Sequence, residues 1–295
     1  MAVVLNTSHP LYSALTALLF VDEDNTIKDL KDAAVTATLA SGVTIGAGTY
    51  GRHVRVYGAS GNGLGATLSK VYGFGTTGTP NGTVFMALNT CSAASSARGG
   101  LLAHTTSANT LPGILVNASR QVGVAAAATA TATLTSGNIA TGAHTITLTR
   151  TAQTAHSIML DGDAEIVSGA QLGSTSINNG FNHIGGWPGG GYGFATAEIV
   201  YIAVFNRELT SAESKSLFDS LTGSNAFGLV AITSSPTLTS PSASATGATT
   251  GSGSVNTNQG DGTLYYLVNT SSTATVAAVK AGASQAVSST GTKTV

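Results

Sequence analysis

The sequence predicts an all-β protein in which helix is confined to one short segment, and three observations lead there. Residues 197–221, AEIVYIAVFNRELTSAESKSLFDSL, read as a buried strand running straight into one capped helix. Tight-turn dipeptides recur along the chain, and the segments between them alternate apolar and polar residues. Composition agrees: 42% of residues are hydrophobic and only 8% charged, so the chain has enough apolar surface to fold and little charge to expose.

From the N-terminus, the apolar run 15–21 is the first strand, with a turn expected near Leu11 to Ala17. Val84 to Leu88 and Ile114 to Asn117 follow as further strands. The Ala/Thr run 124–135 contains too many threonines for a helix and is assigned to a strand in a tightly packed sheet. In 144–150, His144, Ile146 and Leu148 fall on one face and Thr145, Thr147 and Thr149 on the other, the period of a half-buried strand. Residues 158–166 read as a hairpin about Asp161-Gly162. Asn62-Gly63, Asn81-Gly82, Asn179-Gly180 and Asp261-Gly262 supply the other positive φ angles that tight hairpins need.

Ile199, Val200, Tyr201, Ile202, Val204 and Phe205 form a nearly unbroken β-branched and aromatic run, as in a strand covered on both faces. Thr210 and Glu213 have the spacing of a capping box. Leu217, Phe218 and Leu221 share one face of the helix, and Gly223 is placed to end it.

Near residue 229 the composition shifts. The expected organisation is a large domain over 1–228, a linker over 229–242, and a small Ser/Gly/Thr-rich β unit over 243–295 whose clearest strand is GTLYYLV.

Charge and cysteine usage exclude several functions. A net charge of −1 with scattered basic residues gives no field for a phosphate backbone, so nucleic acid is not an expected partner. No apolar run approaches the roughly 20 residues that span a bilayer. The opening MAVVLNTSHP lacks a basic region before an apolar stretch, so a secretory signal is not expected. The single cysteine, Cys91, reads as a small buried residue and permits no internal disulfide.

The strand, Asn206-Arg207 and the Leu209-Thr210-x-x-Glu213 ending resemble the C-terminal signature of laminin-G-like, concanavalin-A-type jelly rolls, although Val200 and Tyr201 stand where many such domains carry Asp-Glu. The opening block, with Ser8-His9-Pro10-Leu11, Leu15, Leu19-Phe20 and Asp29-Leu30, is similar to laminin-G-like proteins encoded among bacteriophage structural genes. The tail resembles the first half of a fibronectin-type-III-like sandwich and reads as cut short at Val295, so a continuing chain or a partner is expected to complete it. The resemblance implies an all-β concanavalin-A-like jelly-roll sandwich.

Two sites follow as expectations. The loop IGGWPGGGYGF would place Trp187 and Tyr192 as a stacking platform for a sugar ring, with Asn182 and His183 as hydrogen-bond partners. The alternative is that Trp187 plugs the end of the core. Asp22, Asp24 and Asn25, beside Glu23, gather oxygens suited to Ca²⁺, against the plainer reading of a solvated strand end; no other cofactor is expected. Catalysis is not expected: the Glu-x-Asp-x-x-Glu strand motif that places the carboxylate pair in glycosidases on related jelly rolls does not occur, and the six histidines are dispersed.

The expected function is a bacteriophage virion surface protein, a capsid decoration or a tail or fibre component, that displays a lectin-like jelly roll for structural packing and weak glycan adhesion. Expected partners are other virion proteins, further copies of the chain, in a trimer for example, and host-surface glycans. The alternatives are a bacterial cell-surface carbohydrate-binding adhesin and a glycan hydrolase.

Overall fold

The computed structural model describes residues 2–56, 65–73, 82–92, 99–103, 113–125, 133–134, 138–152, 155–163, 167–168, 180–185, 196–221, 227–233, 238–247, 250–257, 262–267, 273, 275–287 and 291–295. The chain divides into two compact units, Met1–Thr233 and Ser234–Val295.

The first unit is a two-layer antiparallel sandwich, as the sequence predicts. In the larger sheet the strand order is Val167–Ser168, Ala155–Leu160, His144–Ala152, Gly82–Cys91, Ala197–Phe205, Leu15–Val21, Ile27–Asp29. The hairpin of Thr44–Gly48 and Gly51–Val56 joins this sheet through Ala197–Phe205. The smaller sheet runs Thr133–Leu134, Val122–Ala125, Gly113–Val116, Gly99–Ala103, Phe181–Ile184, Ala66–Tyr72, Ala37–Leu39.

The apolar run at 199–205 is continuous because the strand has apolar neighbours on both sides. Its inward residues Ile202 and Val204 join Leu19, Met86, Leu88, Ile146 and Leu148 against Leu68, Leu101, Val116 and Phe181 of the smaller sheet. Its outward residues Tyr201, Ala203 and Phe205 join Leu18 and Phe85 under Leu217, Leu221, Phe227 and Leu229. The register shifts between Ile199 and Tyr201, and this irregularity puts Val200 beside Tyr201 in the outer cluster. Phe227 stacks on both Phe85 and Tyr201, with ring centroids 5.5 and 4.9 Å apart.

Helix α1 (Ser211–Asp219) closes that outer face. Glu213 N–H donates to the Thr210 hydroxyl at 3.2 Å, and Thr210 N–H donates to Glu213 at 2.9 Å, so the capping box forms as expected. Arg207 grips both Glu213 oxygens, at 2.6 and 2.9 Å, and with the cap holds that carboxyl down at about 2. The polar side of His144–Ala152 is used for docking: Thr147 Oγ1 meets Ser214 Oγ at 2.6 Å, and Thr149 meets Thr83 at 3.1 Å. Ser220, not Gly223, occupies the C-cap, and Gly223 lies outside the described residues.

Two boundaries differ from expectation. Val230–Thr233 pairs with Ala2–Leu5, so these residues belong to the sandwich rather than to a linker. The strand Leu238–Ala245 already lies in the second unit, where it pairs with Gly251–Thr257. Of the run 124–135, Val124, Ala125, Thr133 and Leu134 lie in strands, and 126–132 and 135 fall outside the described residues. Among the described residues no helix is long and apolar enough to cross a membrane.

Candidate functional site

The strand Phe181–Ile184 lies between Ala66–Tyr72 and Gly99–Ala103, and His183 pairs with Thr67 on one side and Ala103 on the other. That central position buries both polar residues expected to meet a sugar, Asn182 at 9% and His183 at 4% exposure. His183 Nδ1 lies 3.1 Å from Thr67 Oγ1, and its Nε2 is buried with no partner among the described residues. Gly65 leaves the ring its room, since a Cβ there would come within 2.6 Å of Nε2. Burial pushes the imidazole down to about 4, so it is neutral near pH 7. Trp187 and Tyr192 lie outside the described residues. The structure therefore places Asn182 and His183 within the sheet and leaves the aromatic half of the platform without a described position.

The acidic loop after Leu15–Val21 is held by cations of the protein itself. Asp22 takes an ion pair from Lys28 and accepts the Asp24 and Thr26 backbone N–H groups, each at 3.0 Å. Asp24 also lies 3.5 Å from Lys28, and Asn25 Oδ1 accepts from Arg52 at 3.0 Å. Burial raises the Asp22 carboxyl, but Lys28 and the Thr26 hydrogen bonds together hold it below its usual range. Among the described residues no group of three or more His, Cys, Asp or Glu side chains is arranged to hold a metal ion.

Two polar clusters escaped the sequence reading. Asn89 donates to His53 Nδ1 at 2.8 Å and to Gly51 O at 3.2 Å, and accepts from Tyr50 N–H at 2.7 Å. Nδ1 of His53 is then an acceptor, which puts its proton on Nε2, 3.7 Å from Glu198; Arg55 lies 3.7 Å from the same carboxylate. Gly46 and Gly48, on one face of the edge strand, provide the space: a Cβ on either would meet His53 at 2.6 Å or Asn89 at 2.3 Å. That glycine pair was the available signal, but only the hairpin register, which sets Gly46 opposite His53 and Gly48 opposite Gly51, gives it meaning.

The second cluster is His144 and Asp161. Asp161 turns the hairpin with φ of 54°, as its sequence context predicts, and its carboxylate also accepts from Thr145 N–H and meets His144 Nδ1, each at 2.7 Å. Cys91 is buried, and desolvation pushes its thiol up to about 12, which makes it unreactive.

The carboxylates so arranged serve the fold. Asp22, Asp29, Asp32, Asp161, Glu198, Glu213 and Asp219 each meet a cation, an imidazole, a hydroxyl or a backbone N–H.

Comparison with known proteins agrees with the fold. No family model matches the chain, and no curated protein matches it. Among solved structures, the binding domain of Paraclostridial Mosquitocidal Protein 1 superposes with a TM-score of 0.55 at 16% identity, covering 71% of this chain and 53% of that one. The binding domain of botulinum neurotoxin DC, solved with rat synaptotagmin II, gives 0.54 at 15% identity, with 72% and 52% covered. Trypanosoma rangeli sialidase gives 0.52 at 21% identity, with 70% of this chain and 32% of the sialidase covered. The chain thus spans about a third of the sialidase and half of the toxin structures, and at these identities the likeness is one of fold. The first unit is a β-sandwich of the jelly-roll kind.

Proposed function

We propose that the sandwich is a non-catalytic recognition and packing module that binds glycans weakly, carried on the surface of a bacteriophage virion as a capsid decoration or a tail or fibre component. The observation that carries the non-catalytic part is the engagement of four carboxylates among the described residues. Most glycoside hydrolases use two carboxyl groups about 5–9 Å apart across an open cleft, whereas Asp29, Asp161, Glu198 and Glu213 are committed to pairs that hold strands and the helix in place. Two of the similar structures are binding domains of toxins, which supports a binding role. The virion placement rests on the opening block's resemblance to phage-encoded relatives and on the low charge, which makes surface cheap to bury against neighbouring subunits. Many copies on one particle would convert weak single-site binding into avidity.

Mass spectrometry of purified particles tests the placement, with the chain expected at tens of copies or more. A glycan array with and without Ca²⁺ tests the binding. Signal lost on Trp187→Ala with the fold intact supports the aromatic platform, and an array blank in both conditions leaves packing alone. Release of a sugar product would reinstate the hydrolase.

A further inference from the structure

Among its described residues, the unit Ser234–Val295 has strands but almost no interior. It consists of a three-stranded sheet, Leu238–Ala245, Gly251–Thr257 and Gly291–Thr294, and a two-stranded sheet, Gly262–Tyr266 with Ala283–Val287, together with the short helix α2 (Val276–Lys280). Among its described residues only Thr257 and Val287 are buried. All eight residues of Leu238–Ala245 are exposed, and Leu238, Tyr265 and Leu267 show 53%, 43% and 38% of their surface. A chain of about 60 residues must bury roughly 60% of its unfolded surface to stand alone. This unit needs a second surface over its strands.

We propose that the second surface is another copy of the same chain, so that the tail is the self-association element of the protein. Charge selects the occupant. The unit carries only Asp261, Lys280 and Lys293, and the strands Leu238–Ala245 and Gly251–Thr257 carry no charge at all. A partner with a charged face would lose hydration there and find no counter-charge, whereas a second neutral, hydroxyl-rich sheet matches it without repulsion. The mode of association is also constrained. The free edge of Leu238–Ala245 is interrupted by Pro241, by the register shift between Thr239 and Ser242, and by Ser240 at φ of 51°. Such features oppose strand addition at that edge, and the uncharged sheet faces are where the copies meet. The assembly then presents several sandwiches at once, independently of whether any of them binds a glycan.

Sedimentation of the full chain over a broad dilution series tests this. The expected mass is a multiple of 29.2 kDa that falls on dilution. Ser242→Glu charges one face of the strand and Ala243→Glu the other, and at least one is expected to bring the mass down to 29.2 kDa while the sandwich keeps its unfolding transition. Leu238→Lys, at the end of the same strand, provides an independent reading, and Ser242→Thr is expected to preserve the assembly. A wild-type mass of 29.2 kDa at every concentration would mean that a different partner covers the tail, and would overturn the proposal. An assembly that both glutamate variants leave intact would overturn it as well.

Discussion

Tyr72 donates its phenolic hydrogen to Asp29 Oδ2 at 3.0 Å, and that single bond ties the smaller sheet to the edge of the larger one. Both residues are buried, at 4% and 3% exposure. The other oxygen of Asp29 accepts the Leu18 and Lys31 backbone N–H groups at 3.0 and 2.9 Å. Burial, and then the charge of Asp29, push the Tyr72 hydroxyl far above its ordinary range, so it stays a donor at any pH the fold survives.

Tyr72→Phe removes this donor and leaves a buried carboxylate oxygen unanswered. The expected loss is about 1.5–3 kcal/mol, the range for a hydrogen bond to a charged group. A urea unfolding series measures it, and an unchanged midpoint would show that the carboxylate finds another donor.

The cap of α1 should be separable from its packing. Thr210→Ala removes the hydroxyl that accepts from Glu213 N–H and is expected to cost about 1 kcal/mol, while Thr210→Ser should cost only a few tenths. Thermal melts of the two variants side by side decide it, since equal losses would assign the effect to the methyl group.

Leu217 is fully buried in the outer core beneath α1. Leu217→Ala is expected to lose 2–5 kcal/mol by leaving a cavity between α1 and the sheet. A loss below about 1 kcal/mol in chemical denaturation would mean that α1 settles to fill the gap.

Stability should fall on acidification in two stages. His183 titrates near 4 in the fold against 6.5 when unfolded, because burial disfavours its cation. Between those values the unfolded chain holds a proton that the folded chain lacks, so stability is full above pH 6.5 and declines as pH falls toward 4. For this one side chain the decline amounts to about 3 kcal/mol. His9 and His53 shift in the same direction, both mainly through burial, and add to it. Glu213 acts below that window: its paired carboxylate contributes stability above 4.5 that is lost as pH falls toward 2. Denaturation midpoints across pH, compared between the wild type and His183→Gln, measure the first stage. The variant should show a shallower slope between pH 6.5 and 4, and parallel curves would remove His183 from the account.

Sequence alone determined the elements whose cause is local. Leu15–Val21, His144–Ala152 and Ala197–Phe205 follow from side-chain periodicity and β-branching, and the start of α1 follows from Thr210 and Glu213 three positions apart. Asp161-Gly162 was legible as a turn for the same reason.

Only the tertiary structure decided which polar groups meet. His53 finds Asn89 across 36 residues, Asp29 finds Tyr72 across 43, and Thr147 finds Ser214 across 67. Asn182 and His183 were expected to meet a ligand, and only the tertiary structure shows that they lie in a strand paired on both edges with 9% and 4% of their surface exposed. A strand's own residues fix its alternation, but its neighbours, and with them the burial of each side chain, come from register and layer packing between segments far apart in the chain.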